Sequence, residues 1–169
     1  MAGQRALQPG LIMAEFDAIQ RTPFGCVGVR IEDDRLGELM FLPPQTQVLK
    51  PRGALAAEAC RQIMALVENP DFSFELPLAE RGTPFQRRVW HAISAIPRGC
   101  TRGYGDIARD LDSAARAVGQ ACGQNFFPLV IPCHRVVAAA GIGGFAHHAG
   151  GFHLQVKRWL LAHEGHALR

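Results

Sequence analysis

Ile131-Pro132-Cys133-His134-Arg135-Val136 follows an apolar run, Phe126-Phe127-Pro128-Leu129-Val130-Ile131. The unbroken hydrophobicity of that run predicts a buried strand. A cysteine at the end of such a strand is held rigidly beside a histidine and an arginine, groups that lower a thiol pKa. The thiolate is the nucleophilic form, so chemistry at carbon or sulfur is the first function class the chain suggests. Neighbouring side chains of a strand point to opposite faces, so adjacency does not secure a direct Cys133–His134 hydrogen bond. A base acting through one ordered water serves equally well, provided a third group orients the histidine. Glu164, just before the helix-ending Gly165, is the candidate orienter; its ordinary alternative is a solvated carboxylate.

Working outward, the C-terminal half reads as mostly helical. Thr83-Pro84-Phe85-Gln86 is a helix start, with Thr83 at N-cap, Pro84 at N1 and Gln86 at N3 completing a capping box. Phe85, Val89, Ala92, Ile93 and Ile96 then share a face up to Pro97. Residues 106–111 give a short helical pattern, and Asp112 or Ser113 can cap a following helix through Ala121. Two short helices joined by a tight turn predict a helix-turn-helix. After the Cys-His pair come a glycine-rich loop over residues 141–151 and a last helix over residues 154–163.

The N-terminal half reads as a small β-meander with one helix. Strands are expected over residues 11–19, 26–31 and 36–42, with turns at Thr22-Pro23-Phe24-Gly25 and Asp33-Asp34. An alanine-rich helix follows over residues 53–67. The expected fold class is α+β: a small antiparallel sheet with a helix, then a mostly helical, winged-helix-like domain containing the helix-turn-helix. The expected boundary separates a scaffold of residues 1–78 from a functional domain of residues 79–169.

Composition narrows the function classes. The 169 residues are 48% hydrophobic and 20% charged, ordinary for a globular chain. No run reaches the roughly 18 apolar residues of a membrane span, and residues 1–10 lack a signal-peptide core. A cytoplasmic protein without a membrane partner is expected. The five cysteines are widely spaced and form no Cys-x-x-Cys pair, which argues against a disulfide framework or a cysteine-rich zinc site. His147, His148 and His153 match no zinc signature and read as a solvated loop, so no metal is expected. Residues 1–76 carry net charge −3 and residues 77–169 carry +6, almost all of the positive charge being arginine. Arginine suits phosphate. In Ser113-Ala114-Ala115-Arg116-Ala117-Val118-Gly119, small residues surround one arginine near a helix start. That pattern can approach a nucleic-acid backbone closely, and equally describes a tightly packed helix with one solvated arginine. Tyr104, the one tyrosine of the chain, precedes these helices.

Taken together, these blocks resemble the O6-alkylguanine-DNA alkyltransferases, or methylated-DNA–protein-cysteine methyltransferases. The resemblance covers residues 82–166. It rests on Gly82-Thr83-Pro84-Phe85-Gln86 with Val89-Trp90, Ile96-Pro97-Arg98-Gly99, Tyr104-Gly105-Asp106-Ile107-Ala108, and Ala115-Arg116-Ala117-Val118-Gly119. It continues through Asn125, the Cys133 motif, Lys157, Trp159-Leu160-Leu161 and Glu164-Gly165. It implies double-stranded DNA containing O6-alkylguanine as partner, with O4-alkylthymine as an additional substrate. The target base is rotated out of the duplex from the minor groove, and its alkyl group passes once to the acceptor thiolate.

By the same resemblance, Cys133 is the acceptor, His134 takes its proton through a water, and Glu164 orients His134. Tyr104 crowds the neighbouring phosphate and donates to the purine, and Asn125 braces the turn before the cysteine. Arg116 intrudes into the stack, with Ser113, Ala115 and Arg135 as further DNA contacts. Val136, Phe145 and Ala146 line the base pocket. A monomer without cofactor is implied. The chain departs from the family pattern in Phe126, where proline is usual, in Phe145-Ala146, where tyrosine and a small or hydroxyl residue are usual, and in the added His147-His148-Ala149. These changes bear on substrate size and rate. The alternative is a DNA-binding sensor of alkylguanine that repairs nothing, against which Cys133 itself argues. A cysteine hydrolase with a Cys-His-Glu set is a third reading.

Overall fold

The computed structural model describes residues 15–145 and 151–166. Its N-terminal half is a three-stranded antiparallel sheet in the order β1 (Ala18–Thr22), β2 (Gly25–Glu32), β3 (Arg35–Leu42). Asp33 and Asp34 both take positive φ, 49° and 56°, the backbone of a two-residue hairpin turn whose twist matches the flanking strands. The first strand begins at Ala18 rather than at position 11, and residues 11–14 lie outside those described. Helix α1 (Ala54–Glu68) packs its Ala56, Ala59, Ile63 and Leu66 face against the sheet. Strand β3 is an edge strand, and its Leu39 amide donates to the Phe126 carbonyl at 2.8 Å, tying the sheet to the second half.

Helix α2 (Pro84–Ser94) starts with the complete capping box: Thr83 accepts from the Gln86 amide at 3.1 Å and Gln86 accepts from the Thr83 amide at 2.9 Å. Gly82 before it has φ +87°, and a Cβ there would stand 2.4 Å from the Trp90 ring, so only glycine fits. Trp90 in turn donates its indole N–H to the Ala121 carbonyl at 2.8 Å, fixing α2 against the helix-turn-helix. That motif is α3 (Tyr104–Asp110) and α4 (Ala115–Gly123). Its second helix starts on Ala114 without a side-chain cap. The expected caps are not used: Asp112 turns into the left-handed region, φ 50°, and the helix begins on Ala114, one residue past Ser113.

The expected strand over residues 126–131 does not form. Leu129 sits at φ 76°, the Ile131 amide folds back onto the Phe127 carbonyl at 2.8 Å, and Cys133–Arg135 is a single 3₁₀ turn. The run is apolar because it is buried; Pro128 and Pro132 lack the donors that a strand ladder needs. Directly after it, β5 (Val136–Val137) pairs in parallel with β4 (Arg102–Gly103), bringing Tyr104 beside the cysteine turn. Helix α5 (Phe152–His163) closes the chain over a continuous core that joins both halves, from Val27 and Phe41 to Trp90 and Leu160.

Candidate active site

Asn125 builds the turn that presents Cys133. Its Oδ1 accepts from the Phe127 amide at 2.9 Å, and its Nδ2 donates to the Ile131 carbonyl at 2.9 Å and to the Cys133 sulfur at 3.1 Å. The bracing role expected of Asn125 thus extends to the thiol. Cys133 is 5% exposed and lines a cavity of about 420 Å³. Phe145 lines the same cavity, whereas Val136 is fully buried outside it and Ala146 lies outside the described residues.

The thiol is not acidified at rest, contrary to the expectation for Cys133. A hydrogen bond to Cys122, burial, and the charge Cys122 would carry push it well above its ordinary value; the Asn125 hydrogen bond and the Lys157 charge pull the other way. Cys133 is therefore a thiol at neutral pH and needs a base.

His134 is the candidate by geometry. The 3₁₀ turn sets its ring against Glu164, with Nε2 2.7 Å from Oε1. Burial lowers its pKa from the ordinary 6.5, against the hydrogen bond and charge of Glu164, so the ring is neutral at pH 7. A neutral imidazole that donates Nε2–H to a carboxylate carries its lone pair on Nδ1. That Nδ1 is buried and has no hydrogen-bond partner among the described residues. Burial pushes the Glu164 carboxyl up, but hydrogen bonds from His134 and Arg135, with their charges, outweigh it and hold it at about 2.

Arg135, expected as a DNA contact, is engaged inward as a clamp on Glu164. Its Nε donates to both Glu164 oxygens at 3.1 Å, its Nη2 to Oε1 at 2.7 Å and its Nη1 to the Ile96 carbonyl at 2.7 Å. A buried carboxylate needs such a partner, and the guanidinium fork satisfies it while leaving one edge for the histidine.

Lys157 carries a feature the sequence reading missed. It is fully buried, and its Nζ donates to the Val136 carbonyl at 2.8 Å and to the Gly144 carbonyl at 2.9 Å. Burial lowers its pKa to about 8, against the charges of Cys122 and Cys133. The available signal was its place on the buried stripe of α5 with Val156, Leu160 and Leu161. Cys122, the second thiol of the cavity, was likewise missed.

Tyr104 is half-buried, with its hydroxyl 3.5 Å from the Gly144 carbonyl. Burial, and then the charges of Cys122 and Cys133, raise its pKa, so it stays a phenol and a donor. Ser113, Ala115 and Arg116 are exposed at the start of α4, and Arg116 makes no hydrogen bond or ion pair among the described residues.

This arrangement can activate a buried sulfur toward a small group entering its cavity. Comparisons with known proteins place the chain among relatives. A family described as 6-O-methylguanine DNA methyltransferase, DNA binding domain, matches residues 84–166. A methylated-DNA–protein-cysteine methyltransferase from Methanosarcina acetivorans is 35% identical over 155 residues, spanning 88% of this chain and 97% of that protein. The constitutive one from Bacillus subtilis is 42% identical over 108 residues, spanning 62% of this chain and 63% of that protein. The crystal structure of Mycobacterium tuberculosis O6-methylguanine methyltransferase superposes with a TM-score of 0.71 at 34% identity, covering 86% of this chain and 90% of that one. The crystal structure of M. tuberculosis OGT in complex with DNA gives 0.70 at 35% identity over the same shares. With a relative of that identity matched along nearly its whole length, and a solved structure of the same fold, the chain belongs to the methylated-DNA–protein-cysteine methyltransferase family.

Proposed function

We propose that this protein repairs double-stranded DNA by moving the alkyl group of O6-alkylguanine onto Cys133, once per molecule. The reading rests most on one observation: a buried sulfur at the floor of a cavity, hydrogen-bonded by Asn125, beside a neutral histidine with an unpaired buried Nδ1. The helix-turn-helix enters the minor groove. The uncapped start of α4 favours a phosphate, and Arg116 fills the place that the flipped base leaves. Tyr104 donates to the extruded purine.

The Cys133 proton passes through a water to His134 Nδ1, and Glu164, itself held by Arg135, balances the resulting imidazolium. The sulfur attacks the alkyl carbon in line, the carbon–O6 bond breaks with its electron pair passing to the base, and the proton taken from Cys133 returns to the departing guanine through Tyr104 and water. The product is a thioether, which no neighbouring group can hydrolyse, so the acceptor is spent. In this reading residues 1–78 are a scaffold and residues 79–169 hold DNA binding and acceptor. The protein acts as a cytoplasmic monomer, on the nucleoid when bound, without cofactor.

Titration of the protein with an O6-methylguanine duplex, read by intact mass and peptide mapping, tests this. Transfer should stop after one methyl per chain, on the Cys133 peptide, and Cys133→Ala should bind duplex without taking methyl. An unmodified peptide would point instead to a damage sensor, and multiple turnovers to a hydrolase.

A further inference from the structure

The cavity above Cys133 has two walls of different origin. Asn125, Pro128, Cys133 and Phe145 belong to the acceptor half, whereas residues 38–43 of and just beyond β3 form the facing wall. Because β3 is the edge strand, no further strand among the described residues stands between it and the cavity. The wall is fixed in place. Besides the Leu39–Phe126 main-chain hydrogen bond, the Phe41 ring stands 5.4 Å from Phe145 at 45° and 6.1 Å from Phe24 at 81°. Phe24 in turn packs 5.0 Å from Trp159 of α5. Phe41 is 5% exposed, so its ring has little freedom to swing aside.

We propose that Phe41 sets the upper size of the alkyl group that Cys133 accepts, making the N-terminal sheet a wall of the substrate pocket as well as a scaffold. The inference rests on the alkyl-transfer reading. In-line attack puts the reacting carbon against the sulfur, so whatever extends beyond that carbon must occupy the apolar space between Cys133 and β3. A methyl group needs almost none of it, whereas a benzyl group reaches the aromatic wall. Phe145, which has no hydroxyl, meets Phe41 ring to ring and adds to the barrier.

Phe41→Ala, Phe41→Leu and Phe41→Trp test the assignment. Each is reacted with O6-methylguanine and O6-benzylguanine as free bases and in duplex DNA, with Cys133 alkylation followed by intact mass. The readout is the ratio of the benzyl to the methyl rate constant, because a merely loosened fold slows both substrates together. Phe41→Ala should raise the ratio about tenfold or more, in the range of lost apolar contacts in a pocket. Phe41→Leu should raise it less, and Phe41→Trp should lower it. If Phe41→Ala fails to fold by circular dichroism, the other two variants decide. A ratio unchanged across the folded variants overturns the assignment. A wild-type protein that takes no methyl from duplex overturns the alkyl-transfer reading instead.

Discussion

The Asn125 side chain lies 3.1 Å from the Cys133 sulfur through the same amide nitrogen that holds the Ile131 carbonyl at 2.9 Å. One residue thus shapes the turn and holds the Cys133 sulfur. A hydrogen bond to a charged group contributes about 1.5–3 kcal/mol, so Asn125→Ala should slow Cys133 alkylation by free O6-benzylguanine roughly 10- to 100-fold. The pH at which iodoacetamide captures the thiol should rise as well. A folded Asn125→Ala protein with an unaltered rate and titration would remove Asn125 from the mechanism.

Acid should act on this site in two stages. Burial, opposed by Glu164, depresses the His134 pKa below 6.5, so the folded state binds fewer protons there than the unfolded chain does. The stability it contributes is present above pH 6.5 and is lost as pH falls from there through the depressed folded value. Glu164, against its burial, is lowered from 4.5 to about 2, so its contribution is present above pH 4.5 and is lost toward pH 2. Thermal melts between pH 3 and 8 should show both declines. The acid limb of free-base alkylation should lie below pH 6.5, where the histidine base begins to protonate. An acid limb at higher pH would deny His134 the role of base.

Glu164→Gln should damage both stability and transfer. It leaves the Arg135 side chain, only 15% exposed, without its anion. Breaking a buried pair costs about 3 kcal/mol, and the melting temperature of a domain of this size should fall by about 6–12 °C. In the double variant Arg135→Met/Glu164→Gln the orphaned charge is gone, so much of the stability should return while transfer remains slow. Recovery of activity along with stability would show that Glu164 matters only to the fold.

Arg116→Ala separates DNA handling from chemistry. Arg116 is exposed, without a partner among the described residues, and outside the Cys133 cavity. Extruding a base costs a few kcal/mol, so its loss should slow repair of an O6-methylguanine duplex by about tenfold or more while barely changing the reaction with a free base. Equal effects on both substrates would place Arg116 in the fold or the chemistry instead.

Much of the frame was legible in the residues. The Thr83–Gln86 capping box, the Asp33-Asp34 hairpin, the helix on the alanine-rich segment and the two short helices before the cysteine depend on interactions a few residues apart, which sequence spacing encodes directly. The Cys133-His134 pair with Glu164 was also named from sequence, through the blocks that surround it.

What only the tertiary structure decided lies in contacts between distant positions. The apolar run before Cys133 becomes a turn instead of a strand because Asn125 offers it hydrogen bonds that two prolines deny to a ladder. Arg135 faces inward because a carboxylate 29 residues away needs its charge. Lys157 turns inward because two carbonyls, one 21 and one 13 residues before it, converge at its tip. Phe41 reaches the cavity because an edge strand docks against the acceptor half. Hydrophobicity and periodicity set which residues are buried, but a buried polar group takes whichever partner the folded chain brings within about 3 Å, and local sequence does not encode that proximity.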